Sequence, residues 1–145
     1  HWLHSVAGSS RTVLEARDCY APRSLGEIVQ GVPRQAASPG VAHAMARWAV
    51  ERAARLAEGD WPLLGVACTA AIATDRERRG ADRACVAVSD GRTAHGFTMT
   101  MAKGLRSREQ EEELASRLVI LAIARACGVA EPGLDLIAGE ALLEG

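Results

Sequence analysis

Hydrophobic and polar positions along the chain predict a β-sheet at its centre. Three runs of apolar residues have the length of strands: residues 63–68, 84–88 and 93–101. The third run alternates, and its large apolar side chains fall on one side: Phe97, Met99 and Met101. Asp90-Gly91 between the second and third runs is typical of a hairpin turn, because such turns favour residues that tolerate positive φ. The loop of residues 69–83 is then the part of the sheet edge where we expect a ligand.

Two longer segments have helical spacing. In the first, Ser38-Pro39 predicts a helix start, with a hydroxyl N-cap followed by proline at the first helical position. The apolar stripe predicted for this helix, over residues 38–56, comprises Val41, Met45, Trp48, Ala49 and Leu56. A tryptophan on such a stripe is expected in the core rather than as a stacking platform for a base.

The second helix is predicted to begin at Ser107, because its spacing to Gln110 is that of a capping box. Glu109 and residues 111–113 place negative charge at the positive end of the helix dipole. We expect these glutamates to be solvated rather than to bind a metal. The inner face of the helix is predicted to carry Leu114, Leu118, Leu121 and Ala122.

The remaining pattern sets the fold class. Residues 11–20 contain β-branched and apolar side chains and predict a further strand, and residues 23–30 predict a short helix with Leu25 facing inward. Helices and strands in this order predict a layered α/β domain. We expect the domain to comprise residues 1–129, and residues 130–145, which lack a strong period, to be a tail or linker.

Composition and charge narrow the function classes. The 145-residue chain is 48% hydrophobic and 24% charged, and its net charge of -1 gives no argument for nucleic acid or an anionic membrane as a partner. No apolar run reaches the length of a membrane span, and the four cysteines match no metal or redox motif, so we expect a cytoplasmic location. Cys68 and Cys85 lie in apolar runs and are interpreted as buried hydrophobic residues. The low aromatic content, 3%, suggests that a partner subunit completes the fold, and we expect a homo-oligomer.

No motif of recognised spacing assigns a reaction. The sequence has no glycine-rich phosphate loop and no metal motif, its histidines are isolated, and we expect no cofactor. Polar residues remain at the ends of predicted elements, where α/β domains bind ligands. These candidates are Ser9, Ser10, Tyr20, Thr69, Arg106 and the charges of residues 75–83.

A family resemblance adds to this pattern. Ala7-Gly8-Ser9-Ser10, followed ten residues later by Tyr20, resembles a segment of the CinA carboxy-terminal domain family, which includes nicotinamide mononucleotide deamidases. The similarity continues at four further places: Gly31-Val32 before the Ser38-capped helix, residues 66–74, residues 83–88, and Gly104-Leu105-Arg106 before the last helix. It implies a three-layer α/β/α sandwich with a central mixed sheet. It also implies an ancestral amidohydrolase that converts nicotinamide mononucleotide to nicotinate mononucleotide and ammonia.

The chain departs from this family at the positions that would carry the chemistry. The resemblance implies a serine nucleophile activated by a lysine base. The serine segment and the first strand would precede His1, and the lysine position is Leu25, which cannot accept a proton. Leu105 stands where the family has an acid, whereas the five candidate ligand-binding residues keep the family's residue types. Arg106, at a helix start, could still hold a phosphate.

Three functions stay open on the sequence. The leading hypothesis is a divergent CinA-like domain that lacks the Ser/Lys pair and either binds a pyridine mononucleotide or serves as a structural module. The first alternative is an active nicotinamide-nucleotide amidohydrolase whose nucleophile lies outside this chain, with Tyr20 or Arg23 in place of the base. The second alternative is an oligomerisation module without a ligand.

Overall fold

The computed structural model describes residues 1–74 and 80–145, and these form a mixed α/β fold. The helices of the described residues are α1 (Pro22–Val29), α2 (Pro39–Leu56) and α3 (Arg108–Cys127). The strands are β1 (Gly65–Ala71), β2 (Asp82–Ser89), β3 (Ala94–Met101) and β4 (Ala141–Glu144). They lie in the order β1-β2-β3-β4, and every neighbouring pair is antiparallel. The expected mixed sheet is therefore wrong, because the connections between β1, β2 and β3 are shorter than a parallel crossover requires.

The central hairpin is confirmed, with a longer turn than the dipeptide alone indicates. Ser89 pairs with Ala94, so the loop comprises residues 90–93. The Asp90 carboxylate accepts hydrogen bonds from the backbone N–H groups of Arg92 at 2.8 Å and Thr93 at 2.7 Å. Gly91 supplies the positive φ, 93°, that the loop requires.

Small side chains form the core on the face of the sheet that α2 covers. Ser38 caps this helix as predicted, and its Oγ accepts from the Val41 N–H at 3.3 Å. The α2 core cluster comprises Ala42, Ala46, Ala67, Cys85 and Ala87. The buried face of α2 is therefore shifted from the predicted stripe toward the alanines, because small side chains let the helix approach the sheet closely. Trp48 is only half-buried, and the guanidinium of Arg17 lies 5.0 Å from its ring centroid.

Larger side chains form the core on the opposite face, which α3 covers. Phe97, Met99 and Met101 share this face, as their alternation predicts, and each is at most 3% exposed. The predicted inner face of α3 is confirmed, because all four of its residues are buried: Leu114, Leu118, Leu121 and Ala122. The predicted capping box is also present, with Ser107 and Gln110 each accepting from the other's backbone N–H.

The two ends of the chain differ from expectation. The strand predicted over residues 11–20 is wrong, because a 3₁₀ turn, Ser9–Arg11, leads into irregular and largely exposed chain. The charged side chains there contact α2 instead of a strand; Glu15 pairs with Arg52 at 3.0 Å. At the other end, part of the expected tail joins the sheet, since β4 pairs with β3 from Thr100↔Ala141 to Phe97↔Glu144.

Candidate functional site

The candidates near the amino terminus are not held in a site. Ser9 lies in the 3₁₀ turn, and its hydroxyl donates a long hydrogen bond, 3.5 Å, to the His4 carbonyl. Ser10 is exposed, and Tyr20 is 91% exposed. Within residues 1–74 and 80–145, neither the Ser10 hydroxyl nor the Tyr20 hydroxyl has a hydrogen-bond partner. Nothing in this segment fixes these three groups toward a common ligand.

Leu25 and Thr69 lie in the interior. Leu25 is 7% exposed on the inner side of α1, so the position that the resemblance assigns to a lysine base holds a buried aliphatic side chain. Thr69 is 8% exposed on the α2 face of β1, opposite Cys85 on β2. Its Oγ1 is buried and, among the described residues, has no hydrogen-bond partner. Both side chains are therefore closed to a ligand from solvent.

Arg106 lies in the best-organised polar cluster that the described residues contain. Its Nε and Nη2 atoms each donate to one oxygen of the Glu140 carboxylate, both at 2.8 Å. Nη2 also donates to the carbonyl of Asp135 at 3.0 Å. The Glu140 carboxylate accepts two more hydrogen bonds, from the N–H of Ala102 at 3.0 Å and the N–H of Ile137 at 2.9 Å. The arrangement is a bidentate, four-bond carboxylate site.

The pair is shielded from solvent, and Glu140 is ionised near neutral pH. The side chain of Glu140 is 0% exposed and that of Arg106 is 15% exposed. The hydrogen bonds from Arg106 are the main reason that the pKa of Glu140 is lowered to about 2, and the same bonds raise the pKa of Arg106. Sequence reasoning missed Glu140, because its partner is 34 residues away and no local pattern marks it.

Glu111 is a second buried acid near this end of the sheet. It is 1% exposed, and its Oε1 accepts from the N–H of Ala73 at 2.6 Å, just beyond β1. Arg108 donates to the Ala73 carbonyl at 3.0 Å. The expectation that the first-turn glutamates are solvated is therefore wrong at this position. Helical spacing contained the signal, since Glu111 lies three, four and seven residues before the buried Leu114, Ala115 and Leu118.

The ligand edge expected over residues 69–83 is described only in part. Residues 75–79, with most of its charged side chains, lie outside the described residues. Asp82, at the start of β2, is 2% exposed. The described part of this edge is thus closed by buried carboxylates and by the start of α3.

A shallow groove lies at the hairpin end of the α3 face. Its lining includes Leu64, Val88 and Phe97 together with His95 and Arg125. The guanidinium of Arg125 lies 5.1 Å from the Phe97 ring centroid. Its charge is already matched, because Arg125 bonds to both carboxylate oxygens of Glu131, at 2.8 and 2.9 Å, and also pairs with Glu144. The groove therefore presents no unmatched charge at this arginine.

The two cysteines that were interpreted as buried behave differently. Cys85 is 0% exposed, as predicted, whereas Cys68 is exposed, so that prediction is wrong for Cys68. Cys68 lies on the α3 side of β1, the edge strand, beyond the area that α3 covers.

The sequence-predicted positions are thus not brought together. Within the described part of the chain, no hydrogen bond or ion pair joins any two of the five candidate ligand-binding residues. No group of three or more histidine, cysteine or acidic residues in residues 1–74 and 80–145 could hold a metal ion. None of the helices described combines the length and the apolar character that crossing a bilayer requires.

Comparisons of the chain with family models, with curated proteins and with solved structures found no match.

Proposed function

We propose that this chain is a divergent CinA-like domain that lacks amidohydrolase chemistry and serves as an assembly module. The packing of α2 and α3 on opposite faces of the sheet supports the three-layer α/β/α arrangement that the resemblance implies. Buried Leu25 at the position of the base supports the loss of the Ser/Lys pair. The separation of the five candidate residues favours a structural role over pyridine-nucleotide binding.

The open edge of β1 is the observation that carries the assembly role. Among the described residues β1 pairs only with β2, and its seven residues include no charge and no proline. Cys68 and Ala70 are exposed on its α3 side. Monomeric proteins usually protect such an edge with charges, prolines or bulges, so an unprotected edge favours pairing with another strand.

A second copy of this chain is the partner that fits the edge. An antiparallel copy of β1 would continue an already antiparallel sheet, and its small uncharged side chains would meet their own copies without repulsion. The flank of α3 beside β1 adds apolar area. Arg108 places that flank next to Ala73, and Val119 and Ile123 lie farther along it, both half-buried.

Sedimentation equilibrium of three proteins tests this proposal. We expect the wild-type chain to dimerise and Ala70→Lys to weaken the dimer at least about tenfold, because the change adds a like charge to the paired strand of each copy. Leu143→Lys is the matched control, since Leu143 is 68% exposed on β4 at the opposite edge. A wild-type chain that stays monomeric up to its solubility limit, or equal weakening by both lysines, would contradict the proposal.

Calorimetry with nicotinamide mononucleotide, with ammonia measured in parallel, tests the loss of chemistry. We expect neither binding heat nor ammonia. Ammonia release would establish the amidohydrolase alternative and overturn the interpretation of Leu25. A saturable heat without ammonia would instead establish a nucleotide-binding domain, and Tyr20→Phe and Arg106→Ala would then locate the site.

A further inference from the structure

We propose that two copies of this chain pair along β1 in one register, in which Cys68 of one copy lies directly opposite Cys68 of the other. This pairing rests on the assembly role stated above and names the residues that meet. The register follows from the direction of the backbone N–H and C=O groups along β1. Those that point away from β2 are here called the outward groups.

The hydrogen bonds of β3 determine the direction of the backbone groups in the whole sheet. Gly96 exchanges hydrogen bonds of 2.6 and 2.8 Å with Gly145, the residue after β4, so both backbone groups of Gly96 point toward β4. In an antiparallel sheet, successive residues point their backbone groups to opposite neighbouring strands. Phe97 therefore points its groups toward β2, where it pairs with Val86. Val86 in turn points its groups back toward β3.

The same alternation identifies the outward groups of β1. The preceding residue on β2, Cys85, points its backbone groups toward β1, where it pairs with Thr69. Thr69 therefore points its groups toward β2, and those of its neighbour Cys68 point away from the sheet. By the same alternation the groups of Val66 and Ala70 are also outward. Among the described residues, no strand pairs with these outward groups.

The position of Cys68 within β1 selects the register. Cys68 is the middle residue of the strand, which spans Gly65–Ala71. A two-fold axis at Cys68 pairs the whole strand with its copy and places Val66 of each copy opposite Ala70 of the other. Every outward group of the strand then has a partner. An axis at either neighbouring residue pairs a shorter stretch and leaves an outward residue beyond the end of the other strand.

The side chains of the outward residues permit this pairing. Cys68 and Ala70 are exposed on the α3 side of β1, and Val66 is half-buried. None of them is charged or larger than valine, so the two copies meet without repulsion. Opposite residues of a hydrogen-bonded pair have Cα atoms about 5.5 Å apart, within the range of roughly 4.4–6.8 Å that a disulfide spans. Cys68 can therefore report the register chemically.

Oxidation of the wild-type chain with diamide tests the register. Two Cys68 thiols would form one S–S bond, and diamide would take up the two protons and two electrons that they lose. We expect this covalent dimer to form at least about tenfold faster than any link in Cys68→Ser, because pairing raises the effective concentration of the two thiols. Cys127 is the internal control for random collision, since it is also exposed but lies at the C-terminal end of α3.

Relocated cysteines in the Cys68→Ser background give the matched pair of variants. Val66→Cys/Ala70→Cys should form the covalent dimer, because each new thiol of one copy faces the other new thiol of the second copy. Ala70→Cys alone should not form it, because its thiol faces Val66. A covalent dimer from Ala70→Cys alone, or equal rates of oxidation in the wild-type chain and Cys68→Ser, would overturn the register.

Sedimentation equilibrium of the reduced samples separates the register from the assembly role. Cys68→Ser should dimerise like the wild-type chain, because the backbone pairing does not need the thiol. A dimer in sedimentation that forms no link through Cys68 would overturn the register and leave the assembly role intact. A wild-type chain that stays monomeric would overturn both.

Discussion

The two faces of the sheet are built on different principles. The α2 core cluster contains four alanines and one cysteine, whereas the α3 face is filled by residues such as Phe97, Met99 and Leu118. On the α2 face the backbone of the helix lies close to the backbone of β1, because Gly65 leaves room for it. On the α3 face long side chains fill the space between helix and sheet. The first face should therefore be sensitive to added volume where helix and strand backbones meet, and the second should be sensitive to lost volume.

The largest effect is expected from Gly65→Ala. A Cβ at this position would lie 2.5 Å from the N atom of Val50 and would also collide with the carbonyl oxygen of Ala46. Both neighbours are helix backbone and cannot rotate away, so we expect a loss of about 4 kcal/mol or a failure to fold. Chemical denaturation measures the free energy of unfolding.

Gly96→Ala is the matched control on the same face. There a Cβ would meet the tip of the His43 side chain, which can turn aside, and the Gly145 carbonyl oxygen at 3.1 Å. We expect a loss of about 1 kcal/mol. Equal losses at the two glycines would show that close backbone approach is not what distinguishes the α2 face.

Leu118→Ala tests the opposite face. Leu118 is 0% exposed in the α3 core, and its truncation should leave a cavity and cost about 3 kcal/mol. Leu143→Ala removes the same atoms from a side chain that is 68% exposed and should change stability by less than about 0.5 kcal/mol. Similar losses for the two variants would mean that the α3 face is not packed as described.

The pH dependence of stability tests the ion pair between Glu140 and Arg106, which lies at the border of the α3 face. The folded-state pKa of Glu140, about 2, lies below its ordinary value of 4.5, so its ionisation stabilises the fold above pH 4.5. That contribution, on the order of 2 kcal/mol after allowance for solvent near Arg106, is lost as the pH falls from about 5 toward 2.

The measurement is the difference in unfolding free energy between the wild-type chain and Glu140→Gln across this range. We expect the difference to shrink steadily toward low pH. A difference that is independent of pH would show that the carboxylate is not ionised in the fold.

The smallest effects are expected at the helix caps, which also differ between the two faces. Ser107 belongs to a reciprocal capping box at α3, whereas Ser38 accepts one longer bond, 3.3 Å, at α2. We expect Ser107→Ala to cost about 1 kcal/mol and Ser38→Ala about half of that. Ser116→Ala, at an exposed position within α3, serves as the control. The reverse order of the two caps would argue against the reciprocal box.

Local signals explain which parts of the fold were predictable. The hairpin between β2 and β3, both long helices and the inner face of α3 are each determined by residues close together in sequence. β4 was missed because its four residues have no strong period. They form a strand only by pairing with Phe97 to Thr100, which lie more than forty residues earlier in the chain. The strand predicted over residues 11–20 failed for the converse reason. No strand among the described residues pairs with this segment, and its charges interact with α2.

The candidate site was harder to predict than the fold. Its place before a predicted helix and the family resemblance selected Arg106, and the structure places it in a polar cluster. Its partner Glu140, however, lies in a stretch that local pattern assigned to a tail. Thr69 was selected as a strand-end hydroxyl, but its register opposite Cys85 directs it under α2. Pairing register and long-range ion pairs depend on tertiary contacts, which periodicity does not contain.

The order of strands in the sheet also determines when each strand can pair during translation. β1, β2 and β3 follow one another directly, so they can pair as soon as they leave the ribosome. The outer edge of β3 must wait for β4, which is translated only after residues 102–140. At 5–20 residues per second that interval is roughly 2 to 8 s. During this time β4 does not yet cover β3, so the nascent sheet has two open edges, at β1 and at β3. Aggregation between nascent chains on one polysome is therefore most favoured just before β4 is made.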